Sequence, residues 1–182
     1  MARTFVALEL KDAAIKEAIR SLQRELLAPG VRAKAVEAEN LHMTLKFLGE
    51  VPDSSIEGIA SSLRDIQVPP FTIHFRGVGV FPSPSRIHVV WLGAVEGAEE
   101  VRRLSTMVNE RLTAFGRPED FKAHLTILRV KEGTDVSVLA SGIERLKGFD
   151  GGTSKFSEFQ LKKSVLTPSG PIYSDLAVFP LR

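Results

Sequence analysis

Apolar and polar positions along the chain change period several times, and each change marks an element. Thr4 to Leu10 is apolar and β-branched, which predicts a strand. Ile15, Ile19, Leu22 and Leu26 then form one helical stripe, closed by Pro29-Gly30. Leu41 to Leu48 is the next predicted strand. Asp53 is placed to cap a helix carrying Ile56, Ile59, Leu63 and Ile66, and Pro69-Pro70 breaks it. Phe71 to Val80 reads as a strand. The order then repeats: a strand over Arg86 to Leu92, a helix with Val101, Leu104, Val108 and Leu112 in phase, and a strand over Phe121 to Val130. Asp135 can cap a helix bearing Val136, Leu139, Ile143 and Leu146, and strands over Phe156 to Leu166 and Ile172 to Val178 end the chain.

Each half thus reads β-α-β-α-β, with one extra strand at the end. The spacing supports a duplication: Arg3 and Arg86 lie 83 positions apart, His42 and His124 82, Phe71 and Phe156 85. The expected fold class is α+β, one bilobal unit over residues 1–182 with lobe-like halves at roughly 1–81 and 86–182. Phe81-Pro82-Ser83-Pro84-Ser85 is the predicted joint. It is stiffened by proline and too short for a flexible linker, so the lobes should pack directly.

Two segments carry candidate chemistry. One is Leu41-His42-Met43-Thr44-Leu45-Lys46-Phe47-Leu48-Gly49, the other Ala123-His124-Leu125-Thr126-Ile127-Leu128-Arg129. Both contain His-x-Thr at matching places in the two halves. Alternation along a strand puts His42 and Thr44 on one face and Met43 and Leu45 on the other, and the same holds for His124 and Thr126. The apolar set seeks the core, which leaves the His and Thr pairs to face whatever lies between the lobes. Two imidazoles can act as acid and base near neutral pH, and threonine hydroxyls can donate to phosphate oxygens. A strained five-membered cyclic phosphate is a favourable substrate for such a site, because ring opening relieves strain. A single His-x-Thr would mean little; two at duplicated positions point to function. The competing role for the histidines is metal ligation, which needs a third ligand that no His-Glu-x-x-His or similar cluster supplies. His74 and His88 lack the threonine two positions on and read as surface or satisfied sheet residues.

Composition narrows the picture only slightly. The chain has 182 residues, 43% hydrophobic and 25% charged, enough to bury a core without staples. The absence of cysteine excludes disulfides, thiolate metal sites and a cysteine nucleophile. A net charge of +2 and a pI near 9.0 are compatible with a phosphate-bearing partner but do not demonstrate one. The N-terminus reads as a strand rather than a leader, and no stretch is apolar enough to span a membrane. The expectation is therefore a cytoplasmic protein without membrane contact.

The paired motifs resemble those of the 2H phosphoesterase superfamily, and are most similar to its RNA 2′,3′-cyclic phosphodiesterase branch, long described as 2′-5′ RNA ligases. The resemblance covers nearly the whole chain, including Arg3 to Leu10, Arg86 to Gly93 and the closing Leu166-Thr167-Pro168-Ser169-Gly170-Pro171-Ile172-Tyr173. It implies two antiparallel sheets flanking a central cleft with helices outside. It also implies metal-independent hydrolysis of a terminal 2′,3′-cyclic phosphate to a 2′-phosphomonoester, with no cofactor. His42 would be the proton donor, His124 the proton acceptor, and Thr44 and Thr126 would hold the phosphate. The two motifs are nearly interchangeable, so the residues alone do not assign those roles. Arg129 would suit a phosphate, although strict alternation puts it opposite His124 unless the strand ends or bulges. Lys46 has the parity to share the face of His42, and Arg86 and Tyr173 are candidate nucleotide contacts, Tyr173 by stacking on a base. The expected partner is RNA ending in a cyclic phosphate, tRNA halves included, met by a monomer. A phosphodiesterase for small cyclic nucleotides and a non-catalytic RNA-binding module remain as alternatives.

Overall fold

Carboxylate caps set two of the helix starts. In this computed structural model, which describes all residues from Met1 to Arg182, Asp12 accepts hydrogen bonds from the amides of Ala14 (3.0 Å) and Ile15 (3.1 Å) and opens α1 (Ala13–Leu26). Asp135 does the same for α4 (Val136–Leu146), accepting from Ser137 and Val138. The stripe Ile15, Ile19, Leu22 and Leu26 is buried, each side chain contributing about 1.5–3 kcal/mol. Asp53 does not cap a helix. It lies in a 3₁₀ turn, Asp53–Ser55, that takes up the backbone ahead of α2 (Ile56–Leu63), and its carboxylate sits 3.6 Å from the N-terminal amine. Ile66 falls beyond that helix yet remains buried. The remaining helix is α3 (Ala98–Arg111), with Val101, Leu104 and Val108 buried.

Nine strands complete the fold: β1 (Ala2–Glu9), β2 (Ala33–Ala35), β3 (His42–Val51), β4 (Phe71–Ser83), β5 (Arg86–Ala94), β6 (His124–Val130), β7 (Asp150–Phe156), β8 (Glu158–Thr167) and β9 (Gly170–Pro180). They form two antiparallel sheets, ordered β3-β1-β8-β9 and β2-β6-β5-β4-β7. Helices α2 and α3 pack on the first sheet, α1 and α4 on the second. The class is α+β, with one continuous apolar cluster that draws on both sheets.

Several expected boundaries shift. The predicted inter-lobe joint at Phe81 to Ser85 is a hairpin: β4 runs on through Ser83 and pairs with β5, leaving Pro84-Ser85 as the turn. The strand expected from Phe121 starts only at His124. The strand expected over Phe156 to Leu166 is two, because β7 ends at Phe156 and β8 begins at Glu158. Phe156 pairs directly with Phe71, so these two are neighbours across strands rather than equivalent positions.

The lobes also do not coincide with residues 1–81 and 86–182. Superposing the strand orders equates β1 with β5 and β3 with β6, as the duplication predicts, but the third strand of each half crosses over. β4 pairs with β5 in the second sheet, and β8 returns to pair with β1 in the first. Antiparallel hairpin pairing is the reason: a short turn after β4 delivers the chain beside it, so β5 is built onto β4. At the far end the β8–β9 hairpin bridges the two sheets. There the Lys34 ammonium of β2 donates to the Ser169 carbonyl, and the Asn40 amide nitrogen donates to the Pro171 carbonyl at 3.1 Å.

Candidate active site

The two His-x-Thr strands open on one cleft of about 890 Å³, lined from both sheets by His42, Thr44, His124 and Thr126. Each imidazole is held in the same way. Nδ1 of His42 lies 2.7 Å from the Asn40 carbonyl, and Nδ1 of His124 lies 2.6 Å from the Lys122 carbonyl, each two residues back along the chain. A carbonyl only accepts, so Nδ1 carries the proton and Nε2 of the neutral ring presents a lone pair. The Thr44 hydroxyl lies 3.0 Å from Nε2 of His42.

The rings that back the two histidines differ. His42 meets Phe5 at 5.0 Å and the edge of Tyr173 at 5.3 Å. His124 meets Phe81 at 5.0 Å and Trp91 at 6.4 Å, and the Lys122 ammonium lies over both of those rings.

A β-bulge in each strand then decides what else reaches the cleft. The pairing of β3 with β1 skips Leu45, passing from Val6–Lys46 to Ala7–Thr44, and the pairing of β6 with β5 skips Ile127 in the same way. One extra residue reverses the alternation beyond it. Arg129, which strict alternation would hide, thereby comes to line the cleft with His124. Lys46, which strict alternation would aim at the cleft, is instead buried at its edge against α3, where it donates to Asn109 Oδ1 at 2.8 Å. Phe47 takes the cleft position and stands 52% exposed, so its ring is free for a ligand.

Burial holds the His42 imidazole down at about 4, against an ordinary value of 6.5. The nearby Lys162 and Arg129 cations push the same way, and Asn40 and Glu9 push against them. His124 is also lowered, by burial first and then by Lys122, opposed by the hydrogen bond to the Lys122 carbonyl. Both rings are therefore neutral near pH 7. Six cations line the cleft, Arg3, Lys34, Lys46, Arg117, Lys122 and Arg129, against four carboxylates, Glu37, Glu39, Glu119 and Asp120.

The structure gathers His42, His124, Thr44, Thr126, Arg129 and Tyr173 around this cleft. Arg86 does not join them. It is exposed at the β4–β5 turn, since the hairpin carries it away from the cleft lining. His74 is a satisfied sheet residue, 2.9 Å from Asp150, and His88 is exposed. Sequence reasoning passed over Phe47, Lys122 and Phe81. The offset of 82 equates Phe47 with Arg129, and that correspondence could have flagged it. No three His, Asp or Glu side chains draw together as a metal-holding group.

A two-sheet α+β fold that presents a duplicated histidine–threonine strand pair to one cleft defines a phosphoesterase of duplicated design. The model of the LigT like Phosphoesterase family matches residues 9–91 and again 92–173, and the chain belongs to that family. It is 43% identical over 180 residues to the RNA 2′,3′-cyclic phosphodiesterase of Archaeoglobus fulgidus, covering 97% of this chain and 99% of the relative. Among solved structures, a protein of Thermus thermophilus aligns with a TM-score of 0.81 at 29% identity, and E. coli LigT complexed with 3′-AMP aligns with 0.79 at 26%. Both alignments cover 99% of this chain and 98% of the other.

Proposed function

We propose that the protein hydrolyses a 2′,3′-cyclic phosphate at the 3′ end of RNA to a 2′-phosphomonoester, using His42 and His124 as acid and base without a metal. The observation that carries this reading is the matched presentation of the two imidazoles. Each is anchored through Nδ1 to a backbone carbonyl and offers Nε2 to the same cleft. In the reaction, Nε2 of His124 takes a proton from water as the water oxygen attacks phosphorus. The P–O3′ bond breaks, and O3′ receives the proton carried by Nε2 of His42. Proton exchange with solvent then resets both rings. The Thr44 and Thr126 hydroxyls and the Arg129 guanidinium would hold the non-bridging oxygens, whose charge grows in the transition state.

The assignment of His42 as donor is the one the family resemblance implies, and the groups around His42 pull both ways, Lys162 and Arg129 opposing a proton there. Glu9 is the carboxylate that favours a proton on His42, while His124 faces aromatic rings and the Lys122 cation. A bound phosphodiester anion adds to the pull of Glu9 and raises the proton affinity of His42 for the reaction. The relatives named RNA 2′,3′-cyclic phosphodiesterase support RNA as the substrate class, and the excess of cations over carboxylates in the cleft lining and the exposed Phe47 suit a nucleotide end, that of a tRNA half included. Joining of RNA halves through a 2′-5′ bond would follow the same course, with a 5′-hydroxyl attacking phosphorus in place of water.

The test is hydrolysis of an oligonucleotide 2′,3′-cyclic phosphate in EDTA, with the product end mapped. Wild type should give the 2′-phosphate, and His42→Ala and His124→Ala should each lose about 10²–10⁴-fold in rate. Loss of wild-type activity in chelator would make the site metal-dependent. Binding without turnover would favour an RNA-binding module, and failure of long RNA to compete with a cyclic mononucleotide would favour a small-molecule substrate.

A further inference from the structure

The cleft is built by two halves that share His, Thr and the bulge, yet the residues behind the two imidazoles are unrelated. The strand partner of His42 is Glu9, and the strand partner of His124 is Gly93. One strand further in, Lys162 pairs with Phe5 in the first sheet, where Phe81 pairs with Val89 in the second; Phe5 and Val89 are themselves opposite the equivalent Phe47 and Arg129. At two matched positions, then, one half has a carboxylate and an ammonium while the other has glycine and a phenyl ring.

Lys162 is 4% exposed, an expensive place for a cation unless it is paired. Its ammonium lies 3.0 Å from Oε1 of Glu9 and 2.7 Å from Oδ1 of Asp175. The Glu9 carboxylate is also within 3.7 Å of the Lys11 ammonium, and Lys11 in turn pairs with Glu158. These charges lie away from the cleft lining, so substrate does not touch them.

We propose that Lys162 is a positioning residue for His42: clamped between Glu9 and Asp175, it holds the Glu9 carboxylate in an ion pair instead of against the imidazole, and so makes two otherwise equivalent histidines chemically distinct. The charged and titratable groups around His42 are Glu9 from β1, Lys162 from β8, Arg129 from β6, and Tyr173 and Asp175 from β9. Of these, Arg129 faces the cleft and answers to substrate, whereas the Glu9–Lys162–Asp175 set is fixed by the sheet. A Glu9 freed from Lys162 would attract a proton to His42 in the resting enzyme; a Lys162 without Glu9 would repel one. The inference extends the two-histidine reading above, but its direct measurement does not depend on catalysis.

The experiment is an NMR titration of the histidine Cε1 protons in the full chain, with His42 assigned by its loss in His42→Gln. Lys162→Met should raise the midpoint of His42 by roughly one pH unit, Glu9→Gln should lower it, and the double variant should return near wild type, all with His124 unmoved. If Lys162→Met does not fold, Lys162→Met with Asp175→Asn removes one charge of each sign and should still give the upward shift. A His42 midpoint that stays put, or moves the same way in Lys162→Met and Glu9→Gln, overturns the proposal. The pH profile of kcat/KM on the cyclic phosphate is measured in parallel. A limb that follows the NMR midpoint supports the proposal as a device for catalysis. A midpoint that shifts while the profile does not leaves the poising in place and removes His42 from the acid–base pair.

Discussion

At the residue scale the two imidazoles make stability depend on pH in a defined window. His42 is held at about 4 in the folded chain and returns to an ordinary 6.5 on unfolding, so between those values the unfolded chain binds more protons. Stability therefore falls as pH drops from 6.5 towards 4, and His42→Asn should flatten that limb in urea unfolding followed across pH. The cleft side chains separate by role. Thr44→Val and Thr126→Val keep volume but remove a donor, and each should lower kcat about tenfold or more with little change in Tm. Arg129→Ala should weaken kcat/KM by about 1.5–3 kcal/mol, the worth of a charged hydrogen bond, while Arg86→Ala, out on its hairpin turn, should leave turnover unchanged. The histidines and threonines were legible in the sequence because the motif repeats. Arg129 was legible only on the condition of a bulge, and the turning of Lys46 towards α3 was not, because a single skipped residue reverses the face of everything after it.

At the element scale those two bulges need support, and the helices behind them supply it. A bulge leaves a backbone carbonyl out of the ladder, and a buried carbonyl without a partner is costly. The Leu45 carbonyl accepts from the Ser105 hydroxyl at 2.9 Å, and the Ile127 carbonyl accepts from the Gln23 amide nitrogen at 2.9 Å beside the Val36 backbone amide at 3.0 Å. Ser105 lies in α3 and Gln23 in α1, 82 positions apart, the same offset as the histidines. Both are buried polar residues on otherwise apolar helix faces. Ser105→Ala and Gln23→Leu should each destabilise the fold by about 1–3 kcal/mol in denaturant melts. Gln23→Leu should also reduce activity beyond its effect on stability, because Arg129 lies two residues past the bulge that Gln23 supports. Helix periodicity found the apolar stripe and so passed over these two polar positions. Their purpose appears only once the strand in front of each helix is known to skip a residue.

At the scale of the whole molecule the duplication is interlocked rather than tandem. The first sheet takes β1 and β3 from the start of the chain and β8 and β9 from its end, so neither half owns a complete sheet. Separately expressed residues 1–81 and 86–182 should be unfolded by circular dichroism, since β1 would lack β8 and β5 would lack β4. Interlocking also fixes the two histidine strands relative to one another, because β8 carries the chain back from the second sheet to the first. The β8–β9 hairpin adds a further tie through Lys34 and Asn40.

The amino-acid sequence by itself determined what is local and periodic: the strand and helix stripes, the Asp135 cap, the duplicated His-x-Thr pairs and the α+β class. These follow from side-chain alternation and apolar spacing within a few residues of each other. Tertiary structure alone decided which third strand joins which sheet, the skipped residues at Leu45 and Ile127, and the charge set behind His42. Each of those depends on which backbone lies alongside, a pairing made between residues as far apart as Phe5 and Lys162, and no local pattern records it.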